Sequence, residues 1–367
     1  MKDVNKLISF LIALLPLFSI AQNVEILSIT IFAENSARPE ISPSGSRIAF
    51  HERGRDNYYD VFVMNADGSN KTCLTCDNNS LPGKHARQPS WSPDEKWIVF
   101  QAEKSDHVLP KIGALAAPGI GYHNDIYIMN IETGAITQLT NIPTKIKVGD
   151  KTPSGAILQP HFSHDGRKIS WSQRVADGGE WGQWVVKVAE IDFSSTGPVL
   201  KNIVEFAPGA NSGYIESNDF MSGDSTLLVC GNLEKNQTET GIDIYLLNLN
   251  SGRFQRLTNT LEYFDECPHP SPDGTKICYL STEGFPNGDS KQWWNWARGE
   301  FWIMNADGSK KQQITHFNTP GYPECSGKRT IPEYISWSPD GKTILVAVGI
   351  EYKKRKIKEQ IWKIQLK

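Results

Sequence analysis

Three features of this sequence predict an all-β protein: a six-bladed β-propeller of four-stranded antiparallel blades. A Ser-Pro-Asp-Gly-like turn recurs six times, a second hairpin follows most copies, and the chain opens on a lone strand of the kind its last repeat lacks. The turn stands at Ser42-Pro43-Ser44-Gly45, Ser92-Pro93-Asp94-Glu95, Ser163-His164-Asp165-Gly166, Ser222-Gly223-Asp224-Ser225, Ser271-Pro272-Asp273-Gly274 and Ser338-Pro339-Asp340-Gly341. Proline presets φ for such a turn, and Asp or Gly tolerates its later positions. Self-similarity at this spacing marks a repeat architecture, in which each unit buries its faces against neighbours.

The second hairpin begins at Asp60, Asp125, Asp243 and Phe301, where alternating apolar residues flank an Asp-Gly, Thr-Gly or Ser-Gly turn. In the third repeat it survives only as the run from Trp184 to Ile191, and the sixth repeat stops near Ile364. The segment Val24 to Thr30 has no hairpin partner of its own and is expected to become the outer strand of the last blade, closing the ring. Trp91, Trp337 and their equivalents Ile41, Phe162 and Met221 are expected to pack between neighbouring blades.

Residues 1–21 carry Lys2 and Lys6 ahead of an apolar run from Leu7 to Ile20, then Ser19 and Ala21 at small-residue positions, the pattern of a secretory signal peptide. Residues 22–367 are read as one propeller domain in a periplasmic or secreted protein, expected to be monomeric and to have no transmembrane segment after signal cleavage. A formal net charge of −3, with no basic excess, argues against nucleic acid as a partner. Among the six cysteines, Cys73 and Cys76 are spaced for a local bridge, and Cys230 and Cys278 read as small buried apolar residues. A staple between Cys267 and Cys325 is expected across the loops entering consecutive blades.

The pattern Pro-x-Trp-Ser-Pro-Asp-Gly, Asp-Ile-Tyr-x-Met-Asn, Asp-Gly, Gln-Leu-Thr resembles the TolB-type propeller repeat, best from Pro89 to Thr140 and from Pro268 to Thr315. That resemblance covers essentially all of the expected mature chain and implies fold more than function, because such blades occur in periplasmic scaffold proteins, prolyl peptidases and oligogalacturonate lyases. The family places TolB in the periplasm within a cell-envelope complex. The N-terminal α/β domain of TolB proper is not expected here, since few residues separate the leader from the first strand. Nor does the sequence carry a G-x-S-x-G nucleophile motif.

Two functions remain open on these residues. The first is a non-catalytic scaffold binding a protein or glycan partner at the cell envelope through the face of long connections, with no cofactor. These connections run over 101–123, 141–158, 174–182, 205–217, 283–299 and 316–333 and concentrate aromatic residues; Trp293, Trp294 and Trp296, with Arg298, form the most suggestive segment. Arg38, Arg87, Gln159, Glu216, Asp219, Asp265, Glu266 and Glu333 are expected to ring the mouth of the central channel. The second function is a metal-dependent polysaccharide lyase or hydrolase at that mouth. There Gln159-Pro160-His161 and Pro268-His269-Pro270 are similar to the Gln and His ligands of the lyase relatives, so His161 and His269 are the candidate ligands for a divalent ion such as Mn²⁺.

Overall fold

The computed structural model describes residues 23–367 except 55, 83, 105–119, 146, 148, 180, 195–196, 209–212, 239 and 355. The predicted leader and most of the 101–123 connection lie outside the described residues, as do the side chains of Ser290 and Trp294.

Six four-stranded antiparallel sheets form the blades. In chain order, β1 (Ile26–Glu34) is followed by the first blade, β2 (Ser36–Ile41), β3 (Arg47–Arg53), β4 (Tyr59–Asn65) and β5 (Thr72–Cys73). The second holds β6 (Ala86–Trp91), β7 (Trp97–Glu103), β8 (Asn124–Asn130) and β9 (Ile136–Gln138), and the third β10 (Ala156–Phe162), β11 (Lys168–Ala176), β12 (Gln183–Ser194) and β13 (Gly197–Phe206). The fourth holds β14 (Ile215–Phe220), β15 (Thr226–Gly231), β16 (Asp243–Asn248) and β17 (Phe254–Arg256), and the fifth β18 (Asp265–Pro270), β19 (Lys276–Ser281), β20 (Glu300–Asn305) and β21 (Gln312–Gln313). The sixth combines β22 (Thr330–Trp337), β23 (Thr343–Lys353) and β24 (Lys356–Leu366) with β1, in the order β1-β24-β23-β22. Chain start and chain end therefore share a blade, as the unpaired opening strand predicts. The inner strands touch in sequence, β2 to β6, β10, β14, β18 and β22, and β22 returns to β2, closing a ring around a central channel.

The repeat motif has a hydrogen-bond explanation at each end of the blade. In the turn, Ser92 Oγ donates to Asp94 Oδ1 at 2.6 Å and accepts from Trp97 N at 2.9 Å, and Ser163, Ser271 and Ser338 do the same with Asp165, Asp273 and Asp340. At the other end, the Thr of Gln-Leu-Thr donates to the acidic residue that opens the third strand: Thr140 to Asp125 at 3.0 Å, Thr258 to Asp243 at 2.9 Å and Thr315 to Glu300 at 2.8 Å. These bonds fasten short outer strands whose own ladders are too brief to hold them.

Three expectations need correction. In the fourth blade the turn is Met221 to Asp224, closed by Asp224 N to Met221 O at 3.1 Å, so Phe220 and not Met221 occupies the place of Trp91. The hydroxyl of the usual Ser is missing there. Instead Asp224 reaches across to the third blade and accepts from His164 N and Asp165 N, both at 2.9 Å. In the third blade, where the second hairpin had been expected to survive only as the run from Trp184 to Ile191, β13 is a full 10-residue outer strand that runs into the connection expected from 205. It was hidden because it lacks the Leu-Thr ending and leaves Val199, Ile203 and Val204 exposed. Finally, Cys73 and Cys76 are bridged, and Cys230 and Cys278 are buried as expected, but Cys267 and Cys325 are free. Cys267 lies within inner strand β18, where its thiol donates to Glu333 O at 3.2 Å, so it is part of the channel wall and no loop staple forms.

Candidate functional site

The innermost strand of every blade carries a break in register, at 37–40, 87–90, 158–161, 217–220, 266–269 and 332–334. Four of these bulges place a non-glycine residue at positive φ immediately before proline: Arg38 (53°), Gln88 (51°), Gln159 (50°) and Cys267 (49°). Proline suits an inner edge, because its missing N–H would find no ladder partner there. A residue before proline is biased away from helical backbone, so each of these four positions is held by its surroundings at some cost. The bulges re-aim side chains and build three levels of polar chemistry along the channel.

Toward the long-connection end, Arg87 is fully buried, and its Nη1 and Nη2 have no hydrogen-bond partner. Burial pulls its guanidinium down to about 9, against the attraction of Glu103. Arg38 crosses the Tyr334 ring at 5.1 Å, with Nη1 likewise unpartnered. Glu333 is pushed up to about 8 by burial and then by Glu359, which accepts from Tyr59 OH at 2.8 Å.

At mid-channel, Gln159 donates to Glu216 at 2.5 Å, and Tyr214 donates to Glu216 and reaches Glu266 at 3.4 Å. Burial and then repulsion by Glu216 raise the Glu266 carboxyl well above its ordinary range. Cys230 completes a group whose ligand atoms lie within 4.8 Å of one another. Asp265, at the start of β18, is pushed up to about 6 by burial.

His161 and His269 lie on the far side of this belt, near the tight-turn end of the inner strands, with ring centroids 5.7 Å apart. His161 Nε2 meets Tyr334 OH at 3.0 Å, and His269 Nδ1 meets Asp219 at 3.4 Å. Burial takes His161 down to about 4, which leaves it neutral at pH 7. Burial also opposes the Asp219 charge, but its His269 hydrogen bond and the two imidazoles outweigh that and bring it to about 2. Glu40 is raised well above its usual range by burial and then by Asp219. These groups floor a funnel of about 280 Å³ that opens among the Ser-Pro turns. Among the described residues, no group of three His, Cys, Asp or Glu ligand atoms within 4.8 Å of one another includes either histidine. The pair as placed therefore does not form a metal cage.

On the long-connection face, Ser290–Gln292 and Trp293–Trp296 form two short helical turns. Trp293 and Trp296 are half-buried and Arg298 is exposed. Trp296 donates from Nε1 to Asp289 O at 2.9 Å, and a Cβ at Gly288 would lie 2.4 Å from its ring, so only glycine fits beneath it. Arg329 Nη1 to Ala297 O at 2.8 Å and Asn318 Nδ2 to Gly299 O at 2.9 Å tie this segment to the 316–329 loop. On that loop Tyr322 stacks on His316 at 3.7 Å and remains 44% exposed.

The chain superposes on a crystal structure of TolB from Acinetobacter baumannii with a TM-score of 0.52 at 16% identity, over 89% of this chain and 66% of that one. The fold is a six-bladed β-propeller like that of TolB. It also superposes on an oligogalacturonate lyase from Vibrio parahaemolyticus (TM-score 0.50, 10% identity, 94% and 98% of the two chains) and on a puromycin hydrolase mutant (0.50, 12%, 87% and 42%). At these identities the TolB likeness, like the others, is one of fold alone. No family model and no curated protein matches the chain.

The bulges bring Arg38, Gln159, Glu216, Glu266 and Glu333 together within the channel wall, with Arg87 at the same end. His161 and His269 meet at the opposite end, and the tryptophan segment stands apart from both. Tyr334 and Glu40 were not legible as site residues, and Tyr214 was legible only as an aromatic of a long connection, not as a partner of Glu216 and Glu266. The residue before each inner-strand proline was the available signal, since four of them line the wall.

Proposed function

We propose that this chain is an exported, non-catalytic scaffold that binds a protein or glycan partner at the cell envelope through its long-connection face. The carrying observation is the asymmetry of the ring. Tight turns occupy one face, while the other carries a composite loop platform in which Tyr322 and the half-buried Trp293 present aromatic surface beside the exposed Arg298. Aromatic and arginine side chains of this kind anchor protein and sugar partners. The TolB-type repeat supports an envelope setting, and the N-terminal pattern supports export.

The test replaces Trp293, Trp294 and Trp296 together with Ala. Association with isolated envelope fractions, measured by co-sedimentation, should be lost while the melting transition changes little. A fall of about 3 kcal/mol or more in stability would make these residues a loop core and remove the reading.

The second reading is a lyase or hydrolase acting in the channel, favoured by the His269–Asp219 and His161–Tyr334 pairs. A divalent ion held by His161 and His269 would act there as a Lewis acid; no step through a metal is derived. Elemental analysis of the purified protein tests it: a stoichiometric ion lost in His161→Ala and His269→Ala would favour this reading over the first.

A further inference from the structure

We propose that the funnel on the tight-turn face binds a protonated primary amine carried on an aliphatic stem, whether a lysine side chain or a free alkylamine. This site lies at the opposite end of the channel from the proposed partner surface and does not depend on that reading.

The floor is rich in acceptors. Glu40 and Asp219 both line it, and Asp219 keeps 25% of its side chain accessible. Tyr334 has one hydroxyl proton for two acceptors, His161 Nε2 at 3.0 Å and Glu40 Oε2 at 3.4 Å. His269 turns Nδ1 toward the Asp219 carboxylate at 3.4 Å. With the ring proton there, Nε2 is an acceptor, and it is buried with no partner among the described residues. An unmade bond of this kind is costly in a low-dielectric site.

The walls carry the apolar side chains of Ile41, Trp91, Phe162 and Trp337 beside Ser42, Ser90, Ser163, Ser271 and Ser336. Both indole N–H groups are already spent on backbone oxygens of adjoining blades, Trp91 on Glu40 O at 3.0 Å and Trp337 on His269 O at 3.2 Å. They therefore add no donors and hold the rings in place. The volume of about 280 Å³ falls below the range usual for drug-sized ligands, which suits a narrow stem. An ammonium group brings three donors and no acceptor, the complement of this floor, and its charge relieves the repulsion between Glu40 and Asp219. An anion would meet two carboxyl groups.

Binding is measured on the full chain by calorimetric and NMR titration with pentylamine hydrochloride, Nα-acetyl-lysine methylamide and the neutral control 1-pentanol. Pentylammonium is expected to bind at least about tenfold more tightly than pentanol, and Asp219→Asn to weaken it by about tenfold or more, the scale of a charged hydrogen bond. Binding of the lysine derivative assigns the site to peptide side chains, and binding of pentylammonium alone assigns it to free amines. Equal binding of pentanol, or no binding of either amine, overturns the proposal. The comparison of amine with alcohol needs no variant, so it stands even if Asp219→Asn fails to fold.

Discussion

Glu333 lies in the channel wall, where burial first and the neighbouring Glu359 second push its carboxyl from an ordinary 4.5 to about 8, against the pull of Arg38. In the unfolded chain this group loses its proton near 4.5, while the folded chain keeps it to about 8. Between those values the folded state binds more protons, so Glu333 lowers stability as pH rises through that window. Glu333→Gln, neutral throughout, should flatten that decline, read from melting curves at pH 4.5, 6 and 8; an unchanged pH profile would contradict the burial of this group. His161 acts with the opposite sign. Its lowered value makes stability rise with pH between about 4 and 6.5. A second residue-scale expectation concerns the fourth blade, where Phe220 is fully buried and Met221 only partly so. Phe220→Ala should cost about 3–5 kcal/mol and Met221→Ala distinctly less. The reverse order would restore the register read from the Ser222 turn.

At the scale of the element, β1 is the test of closure. It pairs with β24 from Ile26↔Leu366 to Glu34↔Gln360, and Lys367 N adds a bond to Glu25 O at 3.2 Å. Removing residues 23–34 would strip this ladder and leave the β24 edge unpaired, so the melting temperature should fall by many degrees; a truncated chain that melts with the intact one would sink the closure. Closure was legible because the opening strand and the defective last repeat are complementary defects. Turn chemistry was legible in four blades, where Ser and Asp at two-residue spacing make the same bonds, but not in the fourth, where Ser222 and Asp224 keep that spacing in a shifted turn. Strand β13 was not, because it leaves Val199, Ile203 and Val204 exposed and lacks the Leu-Thr ending of the other outer strands. The channel bulges lay between these cases. The prolines are visible in the sequence, but which side chain a bulge turns inward depends on the ring.

At the scale of the whole molecule, propeller geometry sorts the candidate residues onto separate levels that the sequence presents as one group. Arg38, Arg87, Gln159 and Glu216 are buried in the channel wall with Glu266 and Glu333 half-buried beside them, and the histidines floor a funnel on the far side, although all but Glu216 stand within a few residues of an inner-strand proline. Sequence spacing could place them on inner strands, but not assign them to an end of the channel. The proposed partner surface was legible only as loop length and aromatic content. Its physical basis is the hydrogen bonding of Arg329 and Asn318 across two connections, which joins segments that the sequence keeps apart. The most direct test of this division is photo-cross-linking in the producing cell, with a benzophenone amino acid in place of Tyr322 on the long-connection face or of Glu132 in a tight turn. A discrete adduct from position 322, absent from position 132, is the predicted result. An adduct from position 132 with none from 322 would contradict the assignment of the working face.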